Sequence, residues 1–302
     1  MNNINFVLVT DLRAKPLCAA ITLAKTRNAK LIYSSEIVGS SDFGQSSNRL
    51  LRATIILVLK LLFRAIEVKS SNAEIGELDE TGIISSLISI TNDSLASKEK
   101  YPEIWRDLCK LHMGAIDLVE FCKGMKAKKI FVFNGRLASS YEFTSYAKHE
   151  EVDIYFYEYG SSFDKFLLID FLTHDLAEWG RRLLHFYNNG VTSNSCLWSE
   201  AEKFKKQKLS NKYNVTELCT KKYDVAVFLS SAHEYKSLCE SIPSFQARSE
   251  IELVKAAYQD FGVGKKMCVR CHPNNINDPS FKTVLGPLED LCAELKIDFY
   301  GA

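Results

Sequence analysis

The chain has no surplus of charge of either sign: 38 Lys and Arg stand against 37 Asp and Glu in 302 residues. A broad electrostatic footprint for nucleic acid is therefore not expected, and nucleic acid is not a predicted partner. The opening "MNNINFVLVTDLRAK" lacks the basic region, long apolar stretch and small-residue cleavage site of a secretory signal. It reads instead as a first β-strand. The nine cysteines are an odd number, and only Cys268 and Cys271 are closely spaced. A chain this long needs no disulfide framework, so a reducing cytosol is the expected compartment. No G-x-G-x-x-G follows the first strand, and neither G-x-x-x-x-G-K-[ST] nor G-x-S-x-G occurs. These absences argue against a dinucleotide oxidoreductase, a P-loop NTPase and an α/β-hydrolase. Internal repeats and low-complexity tracts are absent as well.

What is present alternates between strand-like and helix-like text, the grammar of an α/β fold. "NFVLVT" is a compact β-rich run, "KPLCAAITLAKTRNA" is helical, and "KLIYSSEIV" reads as a second strand. A polar loop, "GSSDFGQSSN", follows. Helical text runs from about Tyr101 to Lys126, "KKIFVFNGR" gives a buried strand, Tyr141 to His149 a helix, and "VDIYFYEYG" another strand. "FLLIDFLTHDLAEWGRRLLHFYN" reads as helical throughout, with His174 and Glu178 four apart, a spacing that suits a surface pair. From Ser199 to Lys222 the chain turns polar and lysine-rich, with Lys203, Lys205, Lys206 and Lys208 close together, as expected of a solvated connection. A second α/β unit begins with "YDVAVFLSS". It continues through a helix near Ser249 to Asp260, the strand "KKMCVRCHP", a helix near Phe281 to Leu295 and the strand "IDFYGA". The predicted organisation is a domain over 1–198, a linker over 199–222 and a smaller, incomplete domain over 223–302.

Between the second and third of these strands lies "RLLRATIILVLKLLFRAIEVK", residues 49–69. Charges at Arg52, Lys60 and Arg64 interrupt it too often for a transmembrane span. At about 100° per residue, Arg49, Arg52, Lys60 and Arg64 fall within roughly a third of the helix circumference. Such a segment serves either as a core helix with one solvated edge or as a helix lying on a membrane surface.

Four strands end in polar residues: Asn134, Gly135 and Arg136; Glu158 and Gly160; Ser230 and Ser231; His272 and Asn274. In open α/β sheets ligands bind beyond the carboxyl ends of the strands, so these groups mark the expected site, with one wall from each domain. The last cluster carries an ambiguity. Cys268, Cys271 and His272 spell C-x-x-C-H, the attachment pattern of c-type haem. In an extended strand, however, Cys268, Arg270 and His272 face one way and Cys271 the other, whereas two thioethers to one macrocycle need both sulfurs on the same side. A structural zinc lacks its remaining ligands. The sulfurs are expected to be buried and inert, with no metal or cofactor. Pro273 fixes the backbone after His272, pinning the imidazole where it can meet a phosphate or ribose, with Arg270 on the same face.

Together, "FNGR", a helix, "YEYG", then "FLSSAHEY" and "VRCHPN" resemble the capsule polysaccharide biosynthesis family, the Kdo-transferase-like glycosyltransferases of bacterial surface polysaccharides. The order and spacing match over most of the chain. The resemblance implies a GT-B architecture of two Rossmann-like domains facing a cleft, with the acceptor wall N-terminal and the sugar-nucleotide wall C-terminal. It implies that His272 and Pro273, with Asn274, Arg270, Ser230 and Ser231, bind the nucleotide of a CMP-activated sugar such as CMP-Kdo. Glu158, beside Gly160, matches the acidic residue that faces the reacting sugar, with Asn134 and Arg136 next to it. Where the family reads "SSEDE", this chain has "SSAHE", Ser230 to Glu234, and it stops at "FYGA" where the family continues. The acceptor implied is a capsular polysaccharide or lipid-linked glycan, reached in the cytoplasm at the inner membrane. The alternatives are a truncated, non-catalytic relative that binds polysaccharide or a partner enzyme, and a membrane-attached scaffold using residues 49–69.

Overall fold

The computed structural model describes residues 4–39, 49–69, 79–149, 152–159, 166–189, 198–199, 202–203, 222–231, 236–237, 249–273, 275, 278 and 281–301. Its residues group into two compact units. The first comprises Met1–Asp175 with Ser230–Ala247 and Asn274–Thr283; the second comprises Leu176–Leu229, Arg248–Pro273 and Val284–Ala302.

The first unit is built on a six-stranded sheet of order β3-β2-β1-β4-β5-β6. Its strands are β1 Asn5–Leu8, β2 Lys30–Ser34, β3 Ile66–Val68, β4 Lys129–Phe133, β5 Asp153–Tyr159 and β6 Phe166–Ile169. The first five run parallel and β6 adds antiparallel to β5. This is a Rossmann-like α/β arrangement. Its helices are α1 Ala14–Thr26, α2 Ser35–Gly39, α3 Arg49–Phe63, α4 Thr81–Thr91, α5 Pro102–Gly124 and α6 Tyr141–His149.

Side chains along the central strands alternate between two cores, so both faces of the sheet are covered. Phe6, Leu8, Ile130 and Val132 pack with Leu87 of α4, Leu108, Leu111 and Leu118 of α5, and Phe143 of α6. Val7, Phe131, Phe133 and Tyr157 pack on the other face with Ala20 and Leu23 of α1 and Leu59 of α3. Close approach sets the position of α4: a Cβ on Gly82 would stand 2.6 Å from the Cβ of Tyr141.

Three segments depart from the sequence reading. "KLIYSSEIV" is a strand only to Ser34, where the buried hydroxyl accepts the Glu36 amide (3.3 Å) and starts α2. Residues 49–69 are not one helix: α3 stops at Phe63, Arg64 takes a left-handed φ of 49°, and Ile66–Val68 joins the sheet as β3. "FLLID" is not helical. A four-residue apolar run carries no decisive periodicity, and here it pairs along the open edge of β5, Tyr157 opposite Leu168. The helix begins only at α7, Leu176–Asn188. The structure also contains α4, a serine-rich helix that the sequence reading passed over. The polar loop at 40–48 and linker residues 204–221, including Lys205, Lys206 and Lys208, lie outside the described residues.

The second unit carries a parallel three-stranded sheet, β7 Val225–Phe228, β8 Met267–Arg270 and β9 Asp298–Tyr300, in that order. Its helices are α7, α8 Glu250–Ala257 and α9 Phe281–Glu294 from Val284 onward. Ser249 and Glu252 close a reciprocal capping box at the start of α8. Tyr223 donates to Asp298 (2.6 Å) and contacts the Tyr300 hydroxyl, tying the entry of β7 to β9. Among the described residues no helix is long and apolar enough to cross a membrane.

The packing of α4 is expected to be worth most at Leu87, which is fully buried. Leu87→Ala should lower the unfolding free energy by about 2–5 kcal/mol in urea titration.

Candidate functional site

β1 lies between β2 and β4. The chain leaves β1 through α1 to reach β2 on one side, and returns to β4 on the other. In open α/β sheets such a reversal is where ligands ordinarily bind, beyond the carboxyl ends of the strands. The residues there are Asp11 and Arg13 after β1, Asn134 to Arg136 after β4, and Glu158 near the end of β5.

Local backbone chemistry aims them. Asn134 and Gly135 both adopt positive φ, 64° and 86°. Asparagine tolerates this region and glycine is indifferent to it. At Gly135 the space is closed too, since a Cβ would lie 2.4 Å from the ring of Phe156. The Gly135 amide bonds the Phe133 carbonyl (2.8 Å), and the Thr144 hydroxyl donates to the Gly135 carbonyl (2.6 Å), fixing the turn. The Asn134 side chain is thereby directed across to the next strand. Its Nδ2 donates to Glu158 Oε2 at 2.9 Å, and its Oδ1 accepts the Arg136 amide at 3.3 Å.

Arg136 is held from a different direction. Its Nη1 donates to Ser85 Oγ (3.0 Å) and Ser89 Oγ (3.2 Å) of α4, and to Ser237 Oγ. Ser86 accepts the Ala138 amide at 2.8 Å, so α4 anchors the loop as well as the guanidinium. On the β1 side, Arg13 Nε donates to the buried Asp11 Oδ2 (2.7 Å) and the Arg13 amide to Oδ1 (2.8 Å).

The electrostatics follow from this packing. Burial raises the Glu158 carboxyl above the ordinary range, opposed by the Asn134 hydrogen bond and by the positive charges of Arg136 and Arg13. Burial pushes the His174 imidazole down to about 4, and the nearby Arg136 charge pushes the same way. His174 is therefore neutral at neutral pH, its Nδ1 2.9 Å from the Thr173 hydroxyl. Tyr157, whose hydroxyl donates to the Leu8 carbonyl (3.1 Å), is raised by burial and is no proton carrier. The cluster combines a proton-hungry carboxylate, a neutral imidazole and two guanidinium groups. Chemically it can accept a proton from a hydroxyl, beside two guanidinium groups that are themselves hydrogen-bonded to Asp11 and to serine hydroxyls.

Of the residues expected from sequence, Asn134, Arg136 and Glu158 come together here. Arg270 stands exposed at the end of β8, followed by half-buried His272 and exposed Pro273, all in the second unit. Ser230 is exposed, its carbonyl accepting Asn275 Nδ2 at 3.3 Å, and Ser231 is fully buried. Gly160, Asn274, His233 and Glu234 lie outside the described residues. Cys268 and Cys271 are both buried, and burial pushes the Cys271 thiol up to about 11. Among the described residues no group of three or more His, Cys, Asp or Glu is placed to hold a metal ion. His174 does not pair with Glu178. It precedes α7, and Glu178 is engaged by Arg181 (2.7 Å) and Arg182 (2.8 Å).

Asp11, Arg13, Ser85, Ser89 and Ser237 were missed from sequence, and His174 was read only as half of a surface pair with Glu178. Asp11 and Arg13 could have been found, because they follow the first strand as Asn134 follows the fourth. A cavity of about 420 Å³ lies elsewhere, at the opposite end of the sheet, where Asn5 and Lys129 begin β1 and β4. Compared with known proteins, the chain matches no family model, no curated protein and no solved structure.

Two outcomes are expected. Gly135→Ala, strained in φ and pressed on Phe156, should destabilise by about 1–3 kcal/mol in urea unfolding. His174 binds its proton only near pH 4 in the fold but near 6.5 when unfolded. The unfolded state binds more protons between these values, so stability falls as pH drops from 6.5 to 4. Thermal melts should show His174→Gln losing less stability across that window than the parent, by on the order of 2–3 kcal/mol.

Proposed function

We propose that the chain is a glycosyltransferase of the GT-B type, moving a sugar from a CMP-activated donor to a capsular polysaccharide or glycolipid acceptor in the cytoplasm. CMP-Kdo is the donor to try first. The observation that carries this reading is Glu158: a half-buried carboxylate near a strand end, raised in proton affinity, oriented by Asn134 and flanked by Arg136 and Arg13. It is supported by the order of "FNGR", "YEYG", "FLSSAHEY" and "VRCHPN" along the chain.

In this reading the acceptor hydroxyl gives its proton to Glu158 as its oxygen bonds the anomeric carbon. The bond from that carbon to the phosphate oxygen breaks and CMP leaves with the electron pair. A carboxylate of raised pKa suits the task, because a general base works best when its pKa approaches the working pH. His174, neutral beside the same cluster, does not compete for the proton at neutral pH. The resemblance assigns the donor nucleotide to Arg270 and His272, whose charge and imidazole suit a phosphate, and names Pro273, Asn274, Ser230 and Ser231 with them.

One observation favours a second reading, a non-catalytic relative that binds polysaccharide or a partner enzyme. The Arg136 guanidinium already donates to three serine hydroxyls, which leaves it less to offer a substrate.

Glu158→Gln keeps the shape and an acceptor for Asn134 but removes the base. CMP release from CMP-Kdo in the presence of acceptor glycan should fall about 10²–10⁴-fold, while calorimetric CMP binding stays nearly unchanged. Undiminished turnover in the variant would refute the role of Glu158; CMP binding with no turnover in the parent would favour the second reading.

A further inference from the structure

α3 is apolar on two sides. One side is packed: Leu59 is 1% exposed, with Ile55, Ile56 and Phe63 set against the same core. The other side faces outward, where Leu50 is 77%, Leu57 54%, Val58 41%, Leu61 69% and Leu62 72% exposed. At about 100° per residue these five span an arc of about 140°, turned away from the packed side. A surface helix ordinarily puts polar residues there, and a contiguous exposed apolar row marks an interaction surface.

The charges identify what it meets. The helix sequence RLLRATIILVLKLLF contains no Asp or Glu. Lys60 and Arg64 border one edge of the leucine arc, both exposed. Lys25 of α1, also exposed, lies over the Phe63 ring at 5.5 Å, on the packed side of the helix rather than along the leucine arc. Among the described residues Glu67 is bonded to Lys60 at 2.7 Å. A second copy docked by the same face would set Lys60 and Arg64 against their own equivalents, with no carboxylate on the helix itself and Glu67 already bonded to Lys60. An anionic bilayer answers both features, taking leucines into the headgroup–acyl boundary and cations onto phosphates.

We propose that α3 docks the first unit onto the surface of an anionic lipid bilayer, lying in the plane of the membrane with Leu50, Leu57, Leu61 and Leu62 inserted. The helix is about 22 Å long, or about four turns. This docking holds whether or not the chain transfers a sugar.

The test is flotation of the full chain with vesicles of mixed phosphatidylcholine and phosphatidylglycerol, and with phosphatidylcholine alone. The parent should float with the mixed vesicles, more weakly with neutral ones, and less as salt is raised. Leu61→Asp with Leu62→Asp should weaken binding by at least about tenfold, with the circular dichroism spectrum kept. Arg64→Asn suits the left-handed backbone and removes one charge without touching the leucines. It should weaken binding to mixed vesicles about fivefold and leave neutral vesicles unaffected. Absence of flotation by the parent, or equal flotation by parent and both variants, overturns the proposal. So does a parent that sediments as a dimer, ignores vesicles and becomes monomeric in the leucine variant, an outcome that would make a second copy the occupant.

Discussion

The central parallel strands of the first unit are buried on both faces, and the placement of the cluster at their ends follows from that burial. Along β1, Phe6 and Leu8 enter one core while Val7 and Val9 enter the other, so no position in the strand can hold a charge without a partner. Polar side chains are displaced to where the strands end, and there the helices α1, α4 and α6 turn away. Asp11, Asn134 and Glu158 share a neighbourhood because the hydrophobic cores leave them that place. Tyr157 shows the rule inside the sheet: its ring is buried, and its hydroxyl is admitted by the Leu8 carbonyl.

Within that neighbourhood one amide sets the pattern. Asn134 can reach Glu158 because its backbone is left-handed, and the next residue must be glycine because Phe156 occupies the space of a side chain. The carboxylate is thus oriented by a neutral donor and faces cations that are occupied elsewhere. Arg13 is spent on Asp11, and Arg136 on hydroxyls. Full ion pairing would lower the carboxyl's proton affinity strongly; distant or shared cations moderate burial without reversing it. The same burial and the same Arg136 charge keep His174 neutral.

Much of this was legible in the chain. The β-rich runs "NFVLVT", "KKIFVFNGR" and "VDIYFYEYG" announce strands and end in the polar residues that form the cluster. "FNGR" reads as a strand ending in polar residues; the left-handed turn that its Asn-Gly pair makes was not read from it. Less was legible where tertiary context decided. "FLLI" has no periodicity of its own and became a strand because β5 had an open edge. "TGIISSLISIT" carries too many serines to stand out as a helix, yet Ser85 and Ser89 are the residues that matter in it. Arg64 gave no sign that it would end a helix. His174 and Glu178 sit at helical spacing, but the helix begins between them. Ser237 has no local signal at all, because its role comes from meeting residues far away in sequence.

That distance has a consequence for how the site is assembled. Ser237 bonds Arg136, 101 residues earlier, and Ser85, 152 residues earlier. The strands of the first sheet are all synthesised by Ile169, well before Ser237 leaves the ribosome. At about 5–20 residues per second, a nascent chain spends several seconds with its sheet complete and the guanidinium of Arg136 lacking one of its three hydroxyls. The set of hydroxyls around Arg136 is thus completed late, by a residue that follows every strand of the sheet in sequence.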